Sequence, residues 1–115
     1  MSKSNEPYII AKATYDAKQG FDPCFATKLM DDAPEDHRIP LLFGLLACGN
    51  DNYLDGFTWL ERAKNTLVRL STGQPCPEID AELKQIALDI NTARRCSSYC
   101  SPMPLPDLPD LPALC

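Results

Sequence analysis

Three stretches of the chain place apolar residues at helical spacing, and each does so differently. From Pro40 to Cys48, Leu41, Leu42, Phe43, Leu45 and Leu46 follow almost without a polar break before Cys48-Gly49-Asn50 interrupts them. A segment apolar on every face must be enclosed, so this one predicts a buried central helix over 40–48 with Pro40 in its first turn. Between Asp55 and Leu70, Phe57, Leu60, Ala63, Leu67 and Leu70 recur every three or four positions. Trp59 and Val68 widen that stripe, and Glu61, Arg62, Lys64 and Arg69 fall opposite. That pattern predicts an amphipathic helix over 55–70, closed by Ser71-Thr72-Gly73. The third stretch opens on Pro77 with Glu78, Asp80 and Glu82. It continues with Ile79, Leu83, Ile86, Ile90 and Ala93 on one face and ends at Arg94-Arg95. Acids at the start and bases at the end both complement a helix dipole, so every local signal agrees. The short link 71–76 predicts an antiparallel pair, with the 40–48 helix packed against it.

Before residue 40 the pattern changes. Tyr8, Ile9, Ile10 and Ala11 form a short run rich in strand-favouring residues, Lys18-Gln19-Gly20 offers a turn, and Phe21 to Met30 supplies a partner strand or helical turn. We read this part as a short β-hairpin that must pack on the helices, because an isolated hairpin is marginal. Residues 32–37 form a separate turn, with Pro34 near its start.

The end of the chain has a period of three. Leu105, Leu108, Leu111 and Leu114 are spaced by Pro-Asp, Pro-Asp and Pro-Ala. Three residues per turn is the repeat of a polyproline II helix, which puts the leucines on one edge, the prolines on a second, and Asp107 with Asp110 on a third. A leucine edge needs a surface, either on this chain as a strap or on another protein. Each leucine contributes about 1.5–3 kcal/mol when fully buried, enough to hold an extended segment down. The expected architecture is therefore a mainly α, three-helix domain over 1–100 with a short N-terminal hairpin and an extended polyproline-like tail over 101–115.

Length and charge narrow the function. A chain of 115 residues makes one domain. Its net charge of −5 is unevenly placed, with Asp31, Asp32, Glu35, Asp36, Asp51 and Asp55 set against the single base Arg38 in one stretch. Nucleic-acid-binding proteins need basic stripes to neutralise phosphates, so direct DNA or RNA binding is not expected. No apolar run is long enough to span a membrane and no export signal opens the chain, which points to the cytoplasm. There the six cysteines would stay reduced. An even six also fits a secreted disulfide scaffold, but such scaffolds lack helical patterns of this length.

Candidate chemistry is sparse. Cys96 and Cys100 could present two thiolates from one helix end, with Cys76, Cys24 or His37 completing a zinc site, but only one close ligand pair is present. As a redox pair they lack the Cys-x-x-Cys geometry at a helix N-terminus. His37, the only histidine, follows Glu35 and Asp36 and is expected to be solvated, with no nucleophile turn or phosphate loop to join it. No cofactor and no catalysis are expected. The acidic set Asp31, Asp32, Glu35 and Asp36 lacks a calcium-loop pattern and reads either as a solvated loop or as a patch for a basic partner.

The reading with most support is a small acidic cytoplasmic protein that binds another protein, an inhibitor or adaptor of the kind that bacteria and their phages or plasmids encode. Its partner-binding residues would be Asp31, Asp32, Glu35 and Asp36 together with Leu105, Leu108, Leu111 and Leu114. One alternative is mimicry of nucleic acid in a basic groove. Another is a zinc-binding or redox protein using Cys96 and Cys100.

Overall fold

The structure, a computed structural model, describes residues 6–72, 76–99, 101 and 103–105. They form five helices: α1 (Glu6–Asp16), α2 (Pro23–Asp32), α3 (Arg38–Gly49), α4 (Tyr53–Ser71) and α5 (Pro77–Ser98). The three expected helices are present, each extended by a few residues. The expected hairpin is not: there is no strand among the described residues, and the N-terminal part is a pair of helices.

Two local signals outweighed strand propensity there. In α1 the buried residues are Tyr8, Ala11 and Tyr15, at helical spacing, while the β-branched Ile9 and Ile10 face outward. In α2, Asp22 caps the helix by accepting from the backbone N–H groups of Cys24 and Phe25, and Pro23 occupies the first turn. An Asp-Pro start followed by Ala26, Leu29 and Met30 on one face is a helix signature.

The centre is α3, buried from Arg38 to Cys48. Its closest partner is α4, and two glycines, one on each helix, allow the approach. A Cβ on Gly44 would stand 2.9 Å from the Leu60 backbone nitrogen, and one on Gly56 would stand 2.3 Å from Cys48 Sγ. Leu60, Ala63 and Leu67 of α4 fill the seam. Around Phe43 an aromatic cluster ties the N-terminal half to this pair: Phe25, Trp59 and Phe21 have ring centroids 6.0, 6.3 and 6.4 Å away. Such pairs add about 0.5–1.5 kcal/mol each beyond their buried area. α5 lies antiparallel to α4 as expected and touches α3 only along a thin seam. Through that seam run the polar groups Glu82 and Asp89, one near each end of α3.

Candidate functional site

At the C-terminal end of α5 the chain turns back over the bundle. Tyr99 caps the helix, and the Ser101 N–H donates to the Cys96 carbonyl at 3.1 Å. The Tyr53 hydroxyl donates to the Ser101 carbonyl, and the Met103 N–H donates to the Cys48 carbonyl at 3.2 Å. Met103 is 4% exposed and belongs to the core. Leu105 packs on Gly49, where a Cβ would stand 2.7 Å from Leu105 Cδ2, so the glycine makes the seat. Residues 101 and 103–105 are thus a strap across the ends of α3, α4 and α5. Of the four tail leucines, Leu105 packs on this protein's own surface, while Leu108, Leu111 and Leu114 lie outside the described residues.

Burial shapes the chemistry beneath the strap. It pushes the Cys48 thiol up to about 11, with the neighbouring Cys96 and Asp89 adding to the effect. The Tyr53 phenol is pushed up to about 12 by desolvation first, then by Cys96, Cys48 and Asp51. A thiol held protonated at neutral pH behaves as a small apolar group rather than a nucleophile. The alternative of a zinc site is not assembled around Cys96 among the described residues. Cys76 caps the opposite end of α5, roughly 30 Å away at 1.5 Å per residue. Cys24 is exposed at the start of α2, and Cys100 lies outside the described residues. Among the described residues no three His, Cys, Asp or Glu side chains gather where a metal would sit.

The acidic set divides. Asp31 and Asp32 are exposed in the last turn of α2, where their charge opposes the negative end of the helix dipole. Glu35 is exposed and reaches Arg69 of α4 at 3.4 Å. Asp36 is committed internally: one carboxylate oxygen accepts from the Arg38 backbone N–H at 3.0 Å and from Nε at 2.8 Å, and the other from Nη2 at 2.7 Å. Arg38 is itself buried, its guanidinium 4.0 Å from the centre of the Tyr8 ring.

The expectation of a solvated His37 is overturned. It is 1% exposed at the N-terminus of α3, where it faces Glu82 of α5. Nε2 lies 3.4 Å from Glu82 Oε1, within ion-pair reach, but makes no hydrogen bond. Desolvation lowers its pKa, against the opposing pull of Glu82 and Asp36. A shallow groove of about 150 Å³ between α4 and α5 is lined by Glu61, Lys64, Ala87, Ile90, Asn91 and Arg94. Of these features, the anchoring roles of Tyr53, Gly49 and Met103 carried no sequence signal. The chain matches no family model, no curated protein and no solved structure.

Proposed function

We propose that the protein is a non-enzymatic cytoplasmic binder of another protein, an inhibitor or adaptor. Its binding surfaces are the tail leucines Leu108, Leu111 and Leu114 that follow the seated Leu105, and the exposed acids Asp31, Asp32 and Glu35. The observation that carries this reading is the anchored root of the tail. Met103 and Leu105 are held on the bundle, so the following leucine-proline triplets start from a fixed point rather than from a free linker. A fixed start lowers the ordering cost of binding, as does the restricted conformation of proline-rich sequence. No helix among the described residues is long and apolar enough to cross a membrane.

The test is affinity capture from a lysate of the native host with the full chain and with the triple variant L108N/L111N/L114N, at low and moderate salt. We expect a partner captured by the parent and lost by the variant. A partner lost to salt but kept by the variant would move the surface to the acids, and no partner in any condition would sink the reading.

A further inference from the structure

The pair α4 and α5 is buried on one side only. Its inner faces enter the core through Leu60, Ala63 and Leu67 of α4 and Ile86 and Ala93 of α5. On the outer side lies the shallow groove, and every residue that lines it comes from these two helices. Its floor is apolar, formed by Ala87 and Ile90. Val68, 47% exposed and four residues after Lys64, continues the apolar strip along the same face of α4. Two antiparallel helices that are buried on one face and open on the other present the place a further helix takes in a bundle.

Charge narrows what that helix carries. Several bases are committed elsewhere: Lys12 to Asp16, Arg38 to Asp36 and Arg69 to Glu35, while Arg62 lies over the Trp59 ring. Lys64 on one edge of the groove and Arg94 on the other are exposed, and among the described residues neither side chain has an ion pair or hydrogen bond, although Glu61 lines the same groove. A chain of net charge −5 thus holds two uncommitted cations beside an apolar floor.

At about 150 Å³ the groove is smaller than the roughly 300–1,000 Å³ of small-molecule sites, so it suits side chains projecting from a segment laid across it. We propose that the α4–α5 groove docks an acidic amphipathic helix of a partner protein. The apolar side of that helix rests on Ala87, Ile90 and Val68, and its carboxylates meet Lys64 on one edge and Arg94 on the other. Exposed ion pairs contribute little each, so the floor supplies most of the affinity while the two cations select an acidic partner and orient it. This surface is separate from the tail leucines and from Asp31, Asp32 and Glu35. It adds to the protein-binding reading without resting on either of those surfaces.

The probe is a synthetic peptide on an alanine background with leucines at i, i+4 and i+7 and glutamates beside them, compared with counterparts that carry glutamine or lysine in place of glutamate. Titrated into the isotope-labelled full chain, the glutamate peptide should shift the backbone amide resonances of Glu61, Lys64, Ala87, Asn91 and Arg94. It should bind about fivefold tighter than the glutamine peptide. K64Q/R94Q should bind those two peptides alike, and K64E/R94E should prefer the lysine peptide. Both positions are exposed, so both variants should keep the parent's circular dichroism spectrum. Equal affinity of the parent for the glutamate and glutamine peptides overturns the proposal, as do shifts confined to residues off the groove or no binding of the glutamate peptide. A groove already occupied overturns it too: groove resonances that move as the chain alone is concentrated would place a second copy there, and resonances that move in L108N/L111N/L114N would place the chain's own tail there. None of these failures touches the capture experiment on the tail, so the two readings fail separately.

Discussion

At its N-terminal end α3 meets charge: Arg38 is buried on Tyr8 and held by three hydrogen bonds to Asp36, and beside it the enclosed His37 faces Glu82. At its C-terminal end the same helix meets an apolar cover, where Met103 and Leu105 lie over Cys48 and Gly49. The two closures fail differently. A buried ion pair is worth little compared with apolar packing, yet removing one member strands the other and is costly. An apolar cover loses stability in proportion to the volume removed. One end of the helix is therefore all-or-none, and the other is graded.

The largest expected effect breaks the charged end. Asp36→Ala removes the carboxylate that accepts three hydrogen bonds from Arg38, in a side chain only 5% exposed, and should cost about 3 kcal/mol. At the other end Met103→Ala should cost about 2 kcal/mol. Urea denaturation of both variants measures the difference, with the midpoint shifting and the slope unchanged. If Met103→Ala proved the costlier of the two, the strap would be the principal closure of α3 and the contrast would be reversed.

A smaller effect sharpens the contrast through pH. His37 has its pKa lowered from the ordinary 6.5 by desolvation, with Glu82 from α5 and Asp36 and Arg38 from its own segment as the charged groups facing it. Below pH 6.5 the unfolded chain takes up a proton that the folded chain refuses. The stability contributed by neutral burial is therefore full above that pH and is lost as pH falls towards the folded value. Asp89 has the opposite sign. Burial raises its pKa above the ordinary 3.8, against the hydrogen bond from Gln85, so the folded chain holds the extra proton and stability falls as pH rises through that window. Stability measured against pH should flatten on the side below 6.5 in His37→Gln, and on the side above 3.8 in Asp89→Asn. Parent-like curves in both variants would remove titration from the account of the α3–α5 seam.

The difference between the two ends also explains what could be read in the sequence. The three helices 38–49, 53–71 and 77–98 were legible because the first is an unbroken apolar run, and the other two keep one apolar period over many turns with an acid in the first turn and a base in the last. The N-terminal helices were not, because Tyr8-Ile9-Ile10-Ala11 has strand-like composition and only the burial of Tyr8, Ala11 and Tyr15 reveals its helical face. The Asp22-Pro23 cap was the available signal for α2. His37 was expected in solvent from the acids beside it, whereas it is 1% exposed and faces Glu82 of α5. Likewise the run of acids gave no hint that Asp36 would turn inward to Arg38 while Asp31 and Asp32 stay exposed, because that sorting is done by tertiary contacts. The tail's period marked a segment in need of a surface, but Gly49 and Tyr53, which supply its seat, look like ordinary helix-end residues.

The smallest expected effect bears on the exposed acids. Asp31 and Asp32 close α2, where exposed carboxylates face the negative pole of their own helix. Neutralising them as D31N/D32N should raise stability by about 0.3–1 kcal/mol per site at low ionic strength, and added salt should erase the gain, because exposed charge interactions are screened over roughly 8–10 Å. Residues that cost stability where they stand are often kept for contacts with something else. If these two acids meet a basic partner, the same double variant that melts later should also bind more weakly, and both changes should shrink as salt is added. A variant that gains stability and binds as well as the parent would place Asp31 and Asp32 in a solvated loop and leave the strap end as the binding surface.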